Sequence, residues 1–137
     1  MILVDTSFFF PLFNQADPDH GRVADAMLSF RGKKTSDLLL TTNHILFETV
    51  TLARARLTHD YAVRVSQALL SQTVARIHWA TEDEQREALD YLARHRDKKY
   101  SAVDCLSFVV MDKLGITEAL TLDSDFSHRF TARPGPR

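Results

Sequence analysis

Three short, largely apolar runs, at residues 2–4, 38–40 and 119–122, and a stretch of strand character mixed with Arg76 and His78 at 74–79, are separated along the 137-residue chain by stretches long enough to hold helices. A continuous apolar run of this length, ended by a polar turn, suits a strand covered on both faces, which is the environment of a parallel sheet. Parallel strands cannot be joined by tight turns, so each needs a crossover, usually helical. The pattern therefore predicts an α/β fold: a three-layer α/β/α sandwich around a parallel sheet of four to five strands, in a single domain spanning residues 1–137. In such sheets ligands bind beyond the carboxyl ends of the strands.

The helices are placed by spacing and by their ends. Val23, Met27 and Phe30 recur at helical intervals, and Gly32 stops that helix. Thr41, Thr42 and Asn43 supply cap chemistry for a helix running to about Leu57, and another spans about Asp60 to Leu70. Thr81-Glu82-Asp83-Glu84 forms a capping box for a helix that runs into the basic stretch Arg94-His95-Arg96-Asp97-Lys98-Lys99. Ser101 to Leu114 is an almost wholly apolar helix closed by Gly115. Residues 119–122 make the last predicted strand. Phe8, Phe9 and Phe10 cannot share one face of a helix, so at least one is expected near the surface.

Composition narrows the function. With 45% hydrophobic and 26% charged residues the chain matches an ordinary globular protein. Its longest apolar stretches fall far short of the ~20 residues of a membrane span, and its start lacks a signal peptide's charged region and cleavage site. A cytoplasmic protein without membrane attachment is expected. The single cysteine, Cys105, excludes an internal disulfide and a thiolate zinc cage, and the six histidines never form H-x-x-x-H. A net charge of −1 does not itself announce a nucleic-acid binder, so any polyanion must be held by local patches. Arg94, Arg96, Lys98 and Lys99, just before the helix bearing Asp104, are the best such patch.

The acids carry the chemistry. Asp5 follows the first predicted strand and Asp123 the last, so both face the edge where sites form. Glu48 lies on an apolar helical stripe between Ile45 and Leu52, where a carboxylate is rarely buried without a partner. Asp104 sits in the first turn of the apolar helix. Each has a structural alternative: Asp5 can cap a helix, and Ser101-x-x-Asp104 fits a capping box in its Asp form. Brought together, however, two carboxylates ~4 Å apart repel by roughly 4 kcal/mol at an effective dielectric near 20. Such a cluster takes up protons or binds a cation. Oxygen ligands alone select a hard ion, Mg²⁺ or Mn²⁺, whose remaining positions suit water and phosphate oxygens. That is the equipment for hydrolysing a phosphodiester.

The order of Asp5 in VDTS, Glu48 in ILFETVTLA, Asp104 in SAVDCLSFVVMDKLGI and Asp123 in ALTLDSDF resembles the PIN-domain ribonucleases, particularly the VapC-type toxins of toxin–antitoxin pairs. The likeness covers nearly the whole chain and is most specific over residues 100–126. It implies a PIN fold, Mg²⁺- or Mn²⁺-dependent endoribonuclease activity on RNA, a cognate VapB-like antitoxin and a homodimer. Asp5, Glu48, Asp104 and Asp123 match the family's catalytic, metal-holding quartet. Thr6 or Ser7 fills the hydroxyl position beside the first acid, and Ser101 supports Asp104. Asp125 reads as a turn residue, with a supporting acidic role as the alternative. Cys105 replaces the small residue common after the third acid and is expected to act as a small buried hydrophobe.

Other classes fit less well. A haloacid-dehalogenase-type phosphatase needs a second acid two residues after the first, where this chain has Ser7. A response-regulator receiver domain needs an acidic pair and a lysine that do not occur. A PIN-like module that binds RNA or protein without cutting, or a solitary PIN nuclease in RNA processing, stay open as alternatives.

Overall fold

The apolar runs become strands because their side chains meet covering helices on both faces of one sheet. The computed structural model describes residues 1–137. Five strands, β1 (Ile2–Val4), β2 (Leu39–Thr42), β3 (Arg76–His78), β4 (Glu118–Thr121) and β5 (Thr131–Pro134), lie in the order β3-β2-β1-β4-β5, and every pair is parallel. Leu3 lies opposite Leu40 on one side and Ala119 on the other, so the carboxyl ends of the three central strands emerge together.

Six helices fill the crossovers: α1 (Thr6–Leu12), α2 (His20–Met27), α3 (Asn43–Arg56), α4 (His59–Leu70), α5 (Glu82–Arg94) and α6 (Ala102–Leu114). The chain steps from β1 to β2 to β3, then returns across the sheet to β4. Right-handed crossovers in opposite directions place α1–α4 on one face and α5–α6 on the other. The packing agrees: α1 touches α3, α3 touches α4, and α5 packs along α6. The reversal falls between β1 and β4, the switch point at which sheets of this kind bind ligands.

Local chemistry explains most boundaries. The Thr42 hydroxyl accepts from the Ile45 N–H at 3.1 Å and caps α3, whereas Thr41 belongs to β2 and donates to the Val4 carbonyl. Both α5 and α6 begin in complete capping boxes, Thr81 with Glu84 and Ser101 with Asp104. Gly115 closes α6 at φ +68°, in the left-handed region that favours glycine.

Three expectations change. The strand expected at 74–79 narrows to Arg76–His78. The strand expected to be last is followed by β5, an edge strand of sequence TARP with no apolar run to betray it. Phe8, Phe9 and Phe10 are all buried, against the expectation that one would reach the surface. Helix α1 is wrapped by β4, α2 and α3, so it has no solvent face, and the Arg56 guanidinium covers Phe10 at 5.8 Å.

Glu84 ties the α5–α6 layer to the sheet. The carboxylate is almost wholly buried and accepts from the His78 Nε2 at 2.9 and 3.0 Å and from the Thr81 N–H at 2.8 Å, with the Lys113 Nζ at 3.3 Å. Burial alone would raise its pKa, but Thr81, His78 and Lys113 outweigh this and hold the carboxyl down at about 2. Its ionised form therefore stabilises the fold above its ordinary value of 4.5, and that contribution is lost as pH falls from about 4.5 towards 2. Glu84→Ala should cost about 3 kcal/mol in urea unfolding at pH 7, because it leaves His78 and Lys113 without their acceptor. Glu84→Gln should flatten the acid limb of the stability profile, and an unchanged limb would refute the assignment.

Candidate active site

Asp5 begins the site as the cap of α1. Its Oδ2 accepts from the Ser7 N–H at 3.3 Å, the Ser7 hydroxyl at 2.8 Å and the Thr121 hydroxyl at 3.2 Å. Ser7 and Thr121 also meet each other at 3.0 Å, and each hydroxyl has one proton to give. With Ser7 Oγ donating to Asp5, the Thr121 proton serves Asp5 and Ser7 alternately. Ser7 Oγ in turn accepts from the Leu122 N–H at 2.9 Å, which fastens α1 to the end of β4.

Asp104 and Asp123 are held in the same way. The Asp104 Oδ2 accepts from the Ser101 N–H at 3.0 Å, while the Ser101 hydroxyl accepts from the Asp104 N–H at 3.0 Å. The Asp123 Oδ1 accepts from the Asp125 N–H at 2.9 Å. Each of the three acids thus commits one oxygen to local structure and keeps the other, Oδ1 of Asp5, Oδ1 of Asp104 and Oδ2 of Asp123, outside these bonds. The structural and chemical readings of these residues coexist.

Three acids converge: one carboxylate oxygen from each of Asp104, Asp123 and Asp125 lies within 4.8 Å of the others, while Asp5 and Glu48 of the expected quartet fall outside that group. Burial pushes the Asp104 carboxyl up to about 7, and the charges of Asp5 and Asp123 add to the rise. Burial likewise raises Asp5 to about 6 against the lowering by Ser7, with Glu48 contributing repulsion. Glu48 is half-buried on α3 and makes no ion pair. A donor set of carboxylate oxygens, including two acids whose charged form is disfavoured first by burial and then by neighbouring charge, fits a hard divalent cation, which would offset both.

The remaining expected residues fall as follows. Ser7, rather than Thr6, supplies the hydroxyl beside Asp5; the Thr6 hydroxyl instead faces Thr49 at 3.4 Å. Asp125 does shape a turn, at the start of a 3₁₀ segment Ser124–His128, but its carboxylate also joins the cluster. Thr121 is a site-supporting residue that the sequence did not reveal. It lies two residues before Asp123, and no motif marks it. Arg94, Arg96, Lys98 and Lys99 are exposed and form no ion pairs, and the Arg94 guanidinium lies 6.0 Å over the Tyr91 ring. Cys105 is fully buried, and burial pushes its thiol up to about 11, as expected of a small hydrophobe.

The PIN-domain family model matches residues 2–129. The chain belongs to the PIN-domain family. It is 41% identical over 127 residues to the 23S rRNA-specific endonuclease VapC20 of Mycobacterium tuberculosis, covering 93% of this chain and 92% of that one. It is 32% identical to the VapC ribonuclease of Archaeoglobus fulgidus, over 91% of this chain and 78% of the relative. The crystal structure of M. tuberculosis VapC20, described as a sarcin-ricin loop cleaving toxin, superposes with a TM-score of 0.83 at 40% identity, covering 93% and 94% of the two chains. In this PIN domain the sheet edge that gathers the acids is also the topological switch point.

The carboxyls give a signed pH dependence. Asp5 and Asp104 have folded pKa values raised above their ordinary 3.8, so the metal-free fold loses stability as pH rises from about 4 through 7. Asp104→Asn should therefore be more stable than wild type at pH 7.5 in EDTA, by about 1–3 kcal/mol, and gain less from added Mn²⁺. Thermal melts with and without Mn²⁺ check this; an equal Mn²⁺ gain in both proteins would remove Asp104 from the cation site.

Proposed function

We infer that the protein is an endoribonuclease of the VapC toxin type, acting on RNA through a divalent cation held by Asp5, Glu48, Asp104 and Asp123. The observation that carries this is the shared half-commitment of Asp5, Asp104 and Asp123, each fixed through one oxygen and free through the other, at the switch point of the sheet. The resemblance to two VapC ribonucleases over nearly the whole chain supports it.

When bound, Mg²⁺ or Mn²⁺ supplies Lewis acidity toward a phosphate oxygen and makes water a better nucleophile. The chain's own residues do the positioning. Ser7 and Thr121 fix the Asp5 carboxylate through its Oδ2, and Ser101 fixes Asp104, so the free oxygens are presented in one orientation. Asp125 adds a further acid at the rim of the cluster. Arg94, Arg96, Lys98 and Lys99 hold phosphates of the incoming strand, which a negatively charged cluster would otherwise repel.

The relative's 23S rRNA makes large-subunit ribosomal RNA the first substrate to test. A VapB-like antitoxin and a homodimer are the proposed partners. No helix is long and apolar enough to cross a membrane, and action on RNA supports a cytoplasmic location as part of this reading.

Because water can be the nucleophile, no RNA 2′-hydroxyl is needed. Cleavage should leave a 5′-phosphate and a 3′-hydroxyl, stop in EDTA, and fall more than about 100-fold in Asp5→Asn, beyond the usual cost of losing an outer hydrogen-bonding partner. End-labelled RNA with Mg²⁺ reads all three outcomes. A 2′,3′-cyclic phosphate, or an Asp5→Asn protein as fast as wild type, overturns the proposal.

A further inference from the structure

Beside the acids, α3 and the start of α6 enclose a groove of about 520 Å³, within the size range of small-molecule sites. Glu48 lines it, as does Val103, the residue before Asp104, which sets the groove beside the candidate site. Its outer wall is Phe47, which is 66% exposed, more than any other large apolar side chain in the protein. Core packing does not account for an aromatic ring left in water at the mouth of a site.

The polar end of the groove is specific. The Asn43 Oδ1 accepts from the Ala80 N–H at 2.9 Å, which leaves its NH₂ group as a free donor. The His44 Nε2 meets the Gln85 Oε1 at 3.0 Å, and the Gln85 amide nitrogen is committed to the carbonyls of Ala80 and Thr81. Gln85 therefore presents oxygen to His44, His44 carries its proton on Nε2, and Nδ1 is left as an acceptor. An apolar wall with one free donor and one free acceptor complements the face and edge of a nucleobase.

We propose that this groove is a nucleobase subsite, in which Phe47 stacks on a base splayed out of the RNA next to the bond to be cut, while Asn43 and His44 meet its edge. The proposal rests on the endoribonuclease reading. Glu48 in its wall and Asp104 next to Val103 are what favour RNA over a protein side chain here. A second groove on the other side of Phe47, lined by Leu46, Val50, Leu70 and Trp79, lacks both the acids and the polar end, and it is not included.

The test uses the intact chain and a short labelled RNA, made also with an abasic ribose at each position in turn. Binding to Asp5→Asn is compared with binding to the same protein carrying Phe47→Ala or Phe47→Trp. Phe47→Ala should weaken binding about 10-fold and abolish the penalty that one abasic position imposes, and Phe47→Trp should restore both. Its melting temperature and Mn²⁺ gain should stay at the parent values, since Phe47 is exposed. On an active Asp5 background, Phe47→Ala should cut intact RNA about 10-fold less efficiently. If Phe47→Ala binds and cuts as wild type, or still distinguishes the abasic RNA, the subsite is overturned while the enzyme reading stands. Normal cutting with weakened VapB-like antitoxin binding would overturn it in favour of a protein interface. RNA bound in a Phe47-dependent way but never cut would instead overturn the enzyme reading alone.

Discussion

Carboxylates do not gather at one edge of a sheet unless something holds them against their own repulsion. In this protein the fold supplies the hold. Asp5 is fixed by the hydroxyls of Ser7 and Thr121, Asp104 by the Ser101 N–H and Asp123 by the Asp125 N–H, and each bond is part of the turn or cap that starts the next element. Removing an acid thus removes a local structural bond as well as a charge. The arrangement is possible because β1 and β4 are neighbours although their facing residues Leu3 and Ala119 are 116 positions apart in the chain, with Asp5 directly after β1 and Asp123 two residues after β4.

A contrast within the same chain shows that burial alone does not decide the state of a carboxyl. Glu84 is as buried as Asp5, yet it is held near 2 while Asp5 rises to about 6. Burial lifts Asp5 and its partners do not offset it, whereas the partners of Glu84 outweigh the burial of that carboxyl. Glu84 faces a lysine, an imidazole and a backbone N–H, whereas Asp5 faces hydroxyls on one side and other carboxylates on the other. The first environment completes the charge and stabilises the fold. The second leaves it incomplete, which is the condition for recruiting a cation from solution.

The layer order and most element boundaries were legible because they rest on local signals: apolar runs, capping boxes and the glycine after α6. The four candidate acids were chosen for a related reason, since a carboxylate just after a buried strand or on an apolar stripe violates local expectation, and the structure groups Asp104 and Asp123 of them with Asp125. What was hidden depends on tertiary context. β5 is a polar edge strand whose pairing with β4 is set by backbone geometry rather than by side-chain pattern. The burial of Phe8, Phe9 and Phe10 depends on how many elements surround α1, which periodicity along one helix cannot report. Thr121 and the carboxylate of Asp125 act only across the gap between strand ends, so their part in the site emerges only when β1 and β4 are side by side.

A near-neutral chain that cuts a polyanion has to separate its charges in space. The acids sit in a partly buried cluster, whereas Arg94, Arg96, Lys98 and Lys99 stand in solvent just before α6. The helix connects the two, because the turn that ends the basic stretch is capped by Ser101 and carries Asp104 three residues later. Phosphates held by the basic stretch would enter at the same end of α6 that carries Asp104 in its first turn. A cation bound among the acids would cancel much of their repulsion toward the strand, so binding of metal and binding of RNA should reinforce each other. Such coupling would reconcile a net charge of −1 with a nuclease, since the relevant quantity is the local field once the acids are neutralised, and composition cannot express it.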